Sequence, residues 1–180
     1  MLRLLFFLQK GLVVKDVMRE LWALKPAVLC RVSLDDVCYE NVKKPAAMHS
    51  RQNEMKEYHI MKNSALVVID LQNDITKNYR EIIETVNRAI DWAVQKGLWV
   101  VYIQHNNLSA GTRTFKPGTH GAEFVPEMKV VSGHIFTKSK SSALTNEEFA
   151  AFLQENNIAE FYIAGADAAA CIKSTCYMGV

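Results

Sequence analysis

No apolar run in this chain reaches the ~18 residues a bilayer-spanning helix needs, so no membrane partner is expected. The stretch from Met1 to Leu8 starts like a secretion signal. Its apolar core stops at Gln9 and Lys10, no small-residue cleavage site follows, and a working signal carries a core of ~7–15 residues. Cysteine is scarce. Cys30, Cys38, Cys171 and Cys176 stand at no metal-binding spacing and form no dense framework, which suits reduced thiols in a cytosol and points to a cytoplasmic protein without a structural metal. Charge of one sign is lacking too: 21 Lys and Arg face 19 Asp and Glu, a net charge of +2, which gives no reason to invoke nucleic acid. Internal repeats and low-complexity tracts are absent.

What is present is a chain of 180 residues with 49% hydrophobic content, enough for one ordinary core. After Met61 the pattern alternates between strand and helix. Ala65–Ile69 reads as a buried strand and Tyr79–Lys96 as an amphipathic helix stopped by Gly97. Leu98–Gln104 and His134–Thr137 read as further strands. Asn146–Asn156 reads as a helix introduced by Thr145, with Glu147 and Glu148 in its first turn. Glu160–Ala164 is the fourth strand, broken by Gly165, and Cys171 opens the next helix. The fold class is α/β, with a parallel sheet and right-handed crossovers.

Three polar residues then stand just past strands on one predicted sheet edge, where open α/β sheets carry their ligand crevice. They are Asp70, Lys138 and Cys171. Each has an ordinary reading as well: a turn or cap aspartate, a solvated lysine, a small core cysteine. Lys140 is a rival for the lysine role and Asp74 for the carboxylate role. A thiol on the first turn of a helix is expected to ionise more easily than the usual ~8.5. With a candidate base and a cation beside it as well, Cys171 should be alkylated faster near neutral pH than Cys30, Cys38 or Cys176, with Cys176 facing the core. The long loop from His105 to Gly133 is of a length that usually serves function. In it His120 either lines the pocket or lies exposed, and His105 reads as a structural strand-end residue.

Taken together, the segments Val68–Asp74, Lys138–Leu144 and Gly165–Thr175 resemble those of the isochorismatase-like cysteine hydrolases, a family that includes nicotinamidases and N-carbamoylsarcosine amidases. The resemblance runs from about Met61 to Cys176. It implies a Rossmann-like three-layer fold with strand order 3-2-1-4-5-6. It implies Asp70 as general base, Lys138 as the charge-stabilising lysine, and Cys171 as nucleophile. Lys138 is preferred to Lys140 because Ser142 and Ala143 follow at the family's spacing. A non-proline cis peptide is implied between Ala166 and Asp167, and an oxyanion hole from the backbone N–H groups of Asp167 and Cys171. The implied reaction is hydrolysis of a C–N bond in a small amide or ureido compound through a thioester, without a cofactor. Asp70→Asn and Lys138→Ala are then expected to lower the rate by orders of magnitude with little loss of folding, and Lys140→Ala to do much less. Nicotinamidases carry an Asp-x-His…His metal cluster after the second strand; Gln104, His105, Asn106 and Asn107 stand in that region here, so no metal is expected. Two other readings stay open: an isochorismatase proper, cleaving a vinyl ether without a nucleophilic cysteine, and a catalytically incompetent family member.

Two departures from the family pattern carry expectations of their own. The chain ends nine residues after Cys171, so the family's last two strands and helix are missing. The fourth strand is then expected to have an open apolar edge, favouring a homo-oligomer. Residues 1–60 match no recognised pattern beyond an amphipathic helix from Gly11 to Leu24, and a DNA-binding helical module is an alternative without a basic recognition helix. Met61 begins where many family members begin, and Lys56-Glu57 is codable as a purine-rich ribosome-binding stretch. The expected division is therefore an extension over 1–60, read as translated upstream sequence, and a hydrolase domain over 61–180.

Overall fold

The computed structural model describes residues 30–33, 63–77 and 80–178; the helix expected from Gly11 to Leu24 lies outside the described residues. Five strands form one sheet: β1 Cys30–Ser33, β2 Ser64–Ile69, β3 Trp99–His105, β4 Ile135–Lys138 and β5 Glu160–Gly165, in the order β1-β5-β2-β3-β4. The last four are mutually parallel and keep the expected order 3-2-1-4. The open edge expected on the fourth strand is corrected. β1 pairs antiparallel with β5, with Cys30 opposite Ile163 and Ser33 opposite Glu160. The sheet therefore draws on residues before Met61, and an edge that lacks parallel neighbours is closed by a short strand of opposite sense.

Helices cover both faces, which is why β2 is buried along its whole length and apolar from Ala65 to Ile69 rather than alternating. On one face Leu66, Val68, Val100, Tyr102, Tyr162 and Ala164 pack against Ile83, Val86, Ala89, Ile90 and Ala93 of helix α2, Glu81–Gln95; a short helix α1, Asn73–Thr76, precedes it. On the other face Val67, Ile69, Val101, Phe161 and Ile163 pack against Phe149 and Leu153 of α3, Glu147–Glu155, against Ile172, and against Cys176 of the last helix α4, Lys173–Met178. Burying Ile83 or Ile90 contributes about 1.5–3 kcal/mol each. The exposed Glu84–Arg88 pair contributes at most about 0.5 kcal/mol. Core burial, not surface charge, therefore orients α2. Its end follows the expected glycine stop: Gly97 has φ +72°, and the Leu98 N–H reaches back 2.9 Å to the Ala93 carbonyl.

Helix α3 is capped one residue later than expected. The Asn146 side-chain oxygen accepts from the Phe149 N–H at 2.6 Å, while the Thr145 hydroxyl donates to the Ser142 carbonyl at 2.7 Å. Among the described residues no helix is long and apolar enough to cross a membrane.

Candidate active site

Each of the three polar residues leaves the sheet at its carboxyl-end edge. Asp70 follows β2 with φ 55°, a left-handed turn that aspartate tolerates better than most side chains, and its N–H is held by the Ile103 carbonyl at 2.9 Å. Lys138 is the last residue of β4, and Cys171 sits in a π-helical turn, Ala168–Ile172, that follows β5. Gly165 lets that turn begin where it does. It has φ +130°, and a Cβ there would lie 2.0 Å from the Ile69 carbonyl oxygen, so no other residue fits the approach of β5 to β2.

The three converge on one ammonium. Lys138 Nζ donates to Asp70 Oδ2 at 2.8 Å and to Cys171 Sγ at 3.1 Å, and its third neighbour is His105 Nδ1 at 3.0 Å. Asp70, His105 and Cys171 offer a carboxylate oxygen, a ring nitrogen and a sulfur within 4.8 Å of one another. This is a donor set of metal-binding type, and the Lys138 ammonium contacts every member of it. Asp70 Oδ1 is buried and has no hydrogen-bond partner. Lys140 and His120 are exposed, and His120 faces Glu123 at 3.2 Å; neither joins the cluster.

The residues after Asp70 bind the long loop to the sheet. The buried Gln72 donates through Nε2 to the carbonyls of His105 at 2.9 Å and Ala122 at 2.6 Å, and accepts from the His105 N–H at 2.8 Å. Asn73 donates to the His120 carbonyl at 2.9 Å. Asp74 is no rival base: its Oδ2 accepts from the Phe115 N–H at 2.7 Å, and Gly121 packs so close that a Cβ there would meet this carboxylate at 2.3 Å. Gln72→Ala is expected to cost about 2–3 kcal/mol, since it strands the N–H and the carbonyl of His105, while the Ala122 carbonyl keeps its bond from Gln104 Nε2 at 2.6 Å. Equilibrium urea unfolding checks this, and a loss below about 0.5 kcal/mol would contradict the clamp.

The cysteine turn is held at both ends. The bond Ala166–Asp167 is cis. The Asp167 side chain accepts from the Ala169 N–H at 2.9 Å. Its carbonyl accepts from the Ala170 and Ile172 N–H groups, both at 3.2 Å, passing over Cys171 between them. Beyond Cys171, the buried Thr175 hydroxyl donates to the Cys171 carbonyl at 2.8 Å and accepts from the Ala143 N–H at 3.0 Å. It thereby joins the cysteine turn to the loop that follows Lys138.

The family model described as the isochorismatase domain matches residues 64–180. The chain belongs to the isochorismatase family. An Arabidopsis thaliana protein named as a probable inactive nicotinamidase is 27% identical over 144 residues, which is 66% of this chain and 74% of that protein. Among solved structures, an isochorismatase family protein superposes with TM-score 0.57 at 20% identity, over 66% of this chain and 73% of its own. N-carbamoylsarcosine amidase from Thermoplasma acidophilum gives TM-score 0.55 at 23% identity, over 62% of this chain and 72% of its own. The isochorismatase family is one of hydrolases that includes amidases.

Within that family setting, the electrostatics correct one expectation. Burial, and then the neighbouring Asp70 carboxylate, push the Cys171 thiol up to about 11 against the pull of Lys138. Burial also raises Asp70, with Lys138 opposing. Cys171 lies inside the turn and is half-buried rather than opening a helix at its exposed end, so a helix terminus does not set its acidity. Fast alkylation at neutral pH is therefore not expected. Its alkylation by iodoacetamide should instead rise about tenfold per pH unit toward 11; a rate already level at neutral pH would contradict the buried, carboxylate-flanked thiol. Cys176 faces the core as expected.

His105 is the residue that sequence reasoning missed in this isochorismatase-family site. It reads as structural because a lone histidine at a strand end belongs to no spacing pattern; only the parallel register, which places His105 opposite Lys138, brings them together.

Proposed function

We propose that the chain hydrolyses a C–N bond of a small amide or ureido compound through a thioester on Cys171. One observation carries this reading: a single buried ammonium contacts both the Asp70 carboxylate and Cys171 Sγ, while Asp70 Oδ1 stands without a partner. A thiol raised to about 11 is protonated at rest, so attack requires a base beside it. Asp70 takes the thiol proton, and burial favours its neutral form. The thiolate left behind faces Lys138.

Sulfur then bonds to the substrate carbonyl carbon, and the π electrons move to oxygen. Backbone N–H groups of Asp167 and Cys171 receive the oxyanion, a contribution typically of about 3–4 kcal/mol per donor. On collapse the C–N bond breaks, and the nitrogen leaves with the proton from Asp70 as ammonia or an amine. Water, deprotonated by Asp70, cleaves the thioester and releases the acid, and the proton returns to the thiol. The substrate class follows that of the amidase relative. A panel of simple amides and ureido acids assayed for ammonia tests the reading. Release with at least one of them is expected. None from folded protein would overturn it and align the chain with the inactive naming of its Arabidopsis relative.

A further inference from the structure

We propose that His105 is a positioning residue of this site: its Nδ1 lone pair, in the neutral Nε2–H tautomer, takes one hydrogen of the Lys138 ammonium and so directs another at Cys171. This rests on the hydrolase reading above and adds a residue to it. A lysine ammonium carries three hydrogens and no lone pair. Its three neighbours are Asp70 Oδ2 at 2.8 Å, His105 Nδ1 at 3.0 Å and Cys171 Sγ at 3.1 Å. A ring nitrogen facing such a donor must be the acceptor, which leaves the ring proton on Nε2. The Lys138 side chain is fully buried, so no water replaces an acceptor that is removed.

The neutrality of the ring matters as much as its lone pair. A second carboxylate at this point would neutralise the ammonium and leave nothing to hold a thiolate. An imidazolium would repel the Lys138 ammonium. Burial, then Lys138, lower the His105 pKa, in keeping with a neutral ring. The charged and titratable groups facing it are Lys138, Asp70 and Cys171. The ring is also fixed from outside. Its backbone N–H and carbonyl are both held by Gln72, and Phe115 packs edge-on with ring centroids 5.3 Å apart.

The test compares His105→Leu with His105→Asn. Leucine keeps the apolar contact with Phe115 and removes the acceptor, whereas asparagine returns an oxygen near the place of Nδ1. In His105→Leu the pH profile of Cys171 alkylation should move upward, slowing the reaction about tenfold at a fixed alkaline pH, with kcat reduced to match. His105→Asn should stay within about threefold of the parent in both. Nitrogen-15 NMR of the parent should report the Nε2–H tautomer at neutral pH. The Nδ1–H tautomer, an imidazolium, or a cooperatively folded His105→Leu protein with an unmoved profile would overturn the inference. The alkylation and NMR arms need no substrate. If they come out as expected while the parent releases no ammonia, the hydrolase reading fails and the His105 geometry stands.

Discussion

Cys171→Ala is expected to abolish ammonia release from every amide that the parent chain cleaves, because among the described residues no other sulfur faces Lys138. Asp70→Asn should reduce kcat by about a thousandfold or more, since loss of one member of a coupled set removes most of what the set does together. Single-turnover assays with ester substrates would separate the two. Asparagine cannot take the thiol proton, so the Asp70→Asn rate should recover in part as pH rises toward the thiol's own value, which falls below the parent's value of about 11 once the carboxylate that raises it is gone. Cys171→Ala should not recover at any pH. Activity surviving in Cys171→Ala would end the thioester mechanism.

Lys138→Ala should be costly to the fold as well as to the reaction, contrary to the little loss that the sequence suggests. Lys138 and Asp70 form an ion pair with side chains 0% and 2% exposed. Removing the cation leaves a buried carboxylate alone, a change that typically costs about 3–5 kcal/mol. The deficit should shrink as pH falls. Burial already raises the Asp70 pKa above its ordinary 3.8, so the native state holds more protons than the unfolded state between those values. Stability is then lost as pH rises through that window and regained as pH falls. The double change Asp70→Asn with Lys138→Met should cost less than Lys138→Ala alone. Urea unfolding at neutral and acidic pH checks all three proteins, and a loss under about 1 kcal/mol for Lys138→Ala would mean the pair does not exist in solution.

The alternation of strand and helix after Met61 could be read because each central strand is a run of apolar residues closed by a polar one or by glycine. Asp70, Lys138 and Cys171 were legible for the same reason: each interrupts or follows such a run at a strand end. β1 was not, because four residues, Cys30–Ser33, are too short for a period to emerge. The acidity of Cys171 is not legible, because linear order reveals a helix start but neither how deep the thiol lies nor how near a carboxylate comes. His105 stayed hidden because its role depends on a neighbour 33 residues away. Gln72, Asn73 and Asp74 were visible as a motif, yet their work in tying down the long loop appears only once the loop is folded back over them.

The contact between Asp74 and Gly121 has a consequence for descent. Any side chain at position 121 collides with the carboxylate at 2.3 Å, and that carboxylate is what holds the Phe115 backbone. A lineage could therefore acquire alanine at 121 only by replacing the aspartate at 74 or by swinging its carboxylate off the Phe115 N–H. Giving up the aspartate alone would loosen the loop that carries Phe115 against His105. The constraint runs one way: a relative with a side chain at 121 should have lost or displaced the aspartate at 74, whereas a relative without that aspartate can keep glycine at 121.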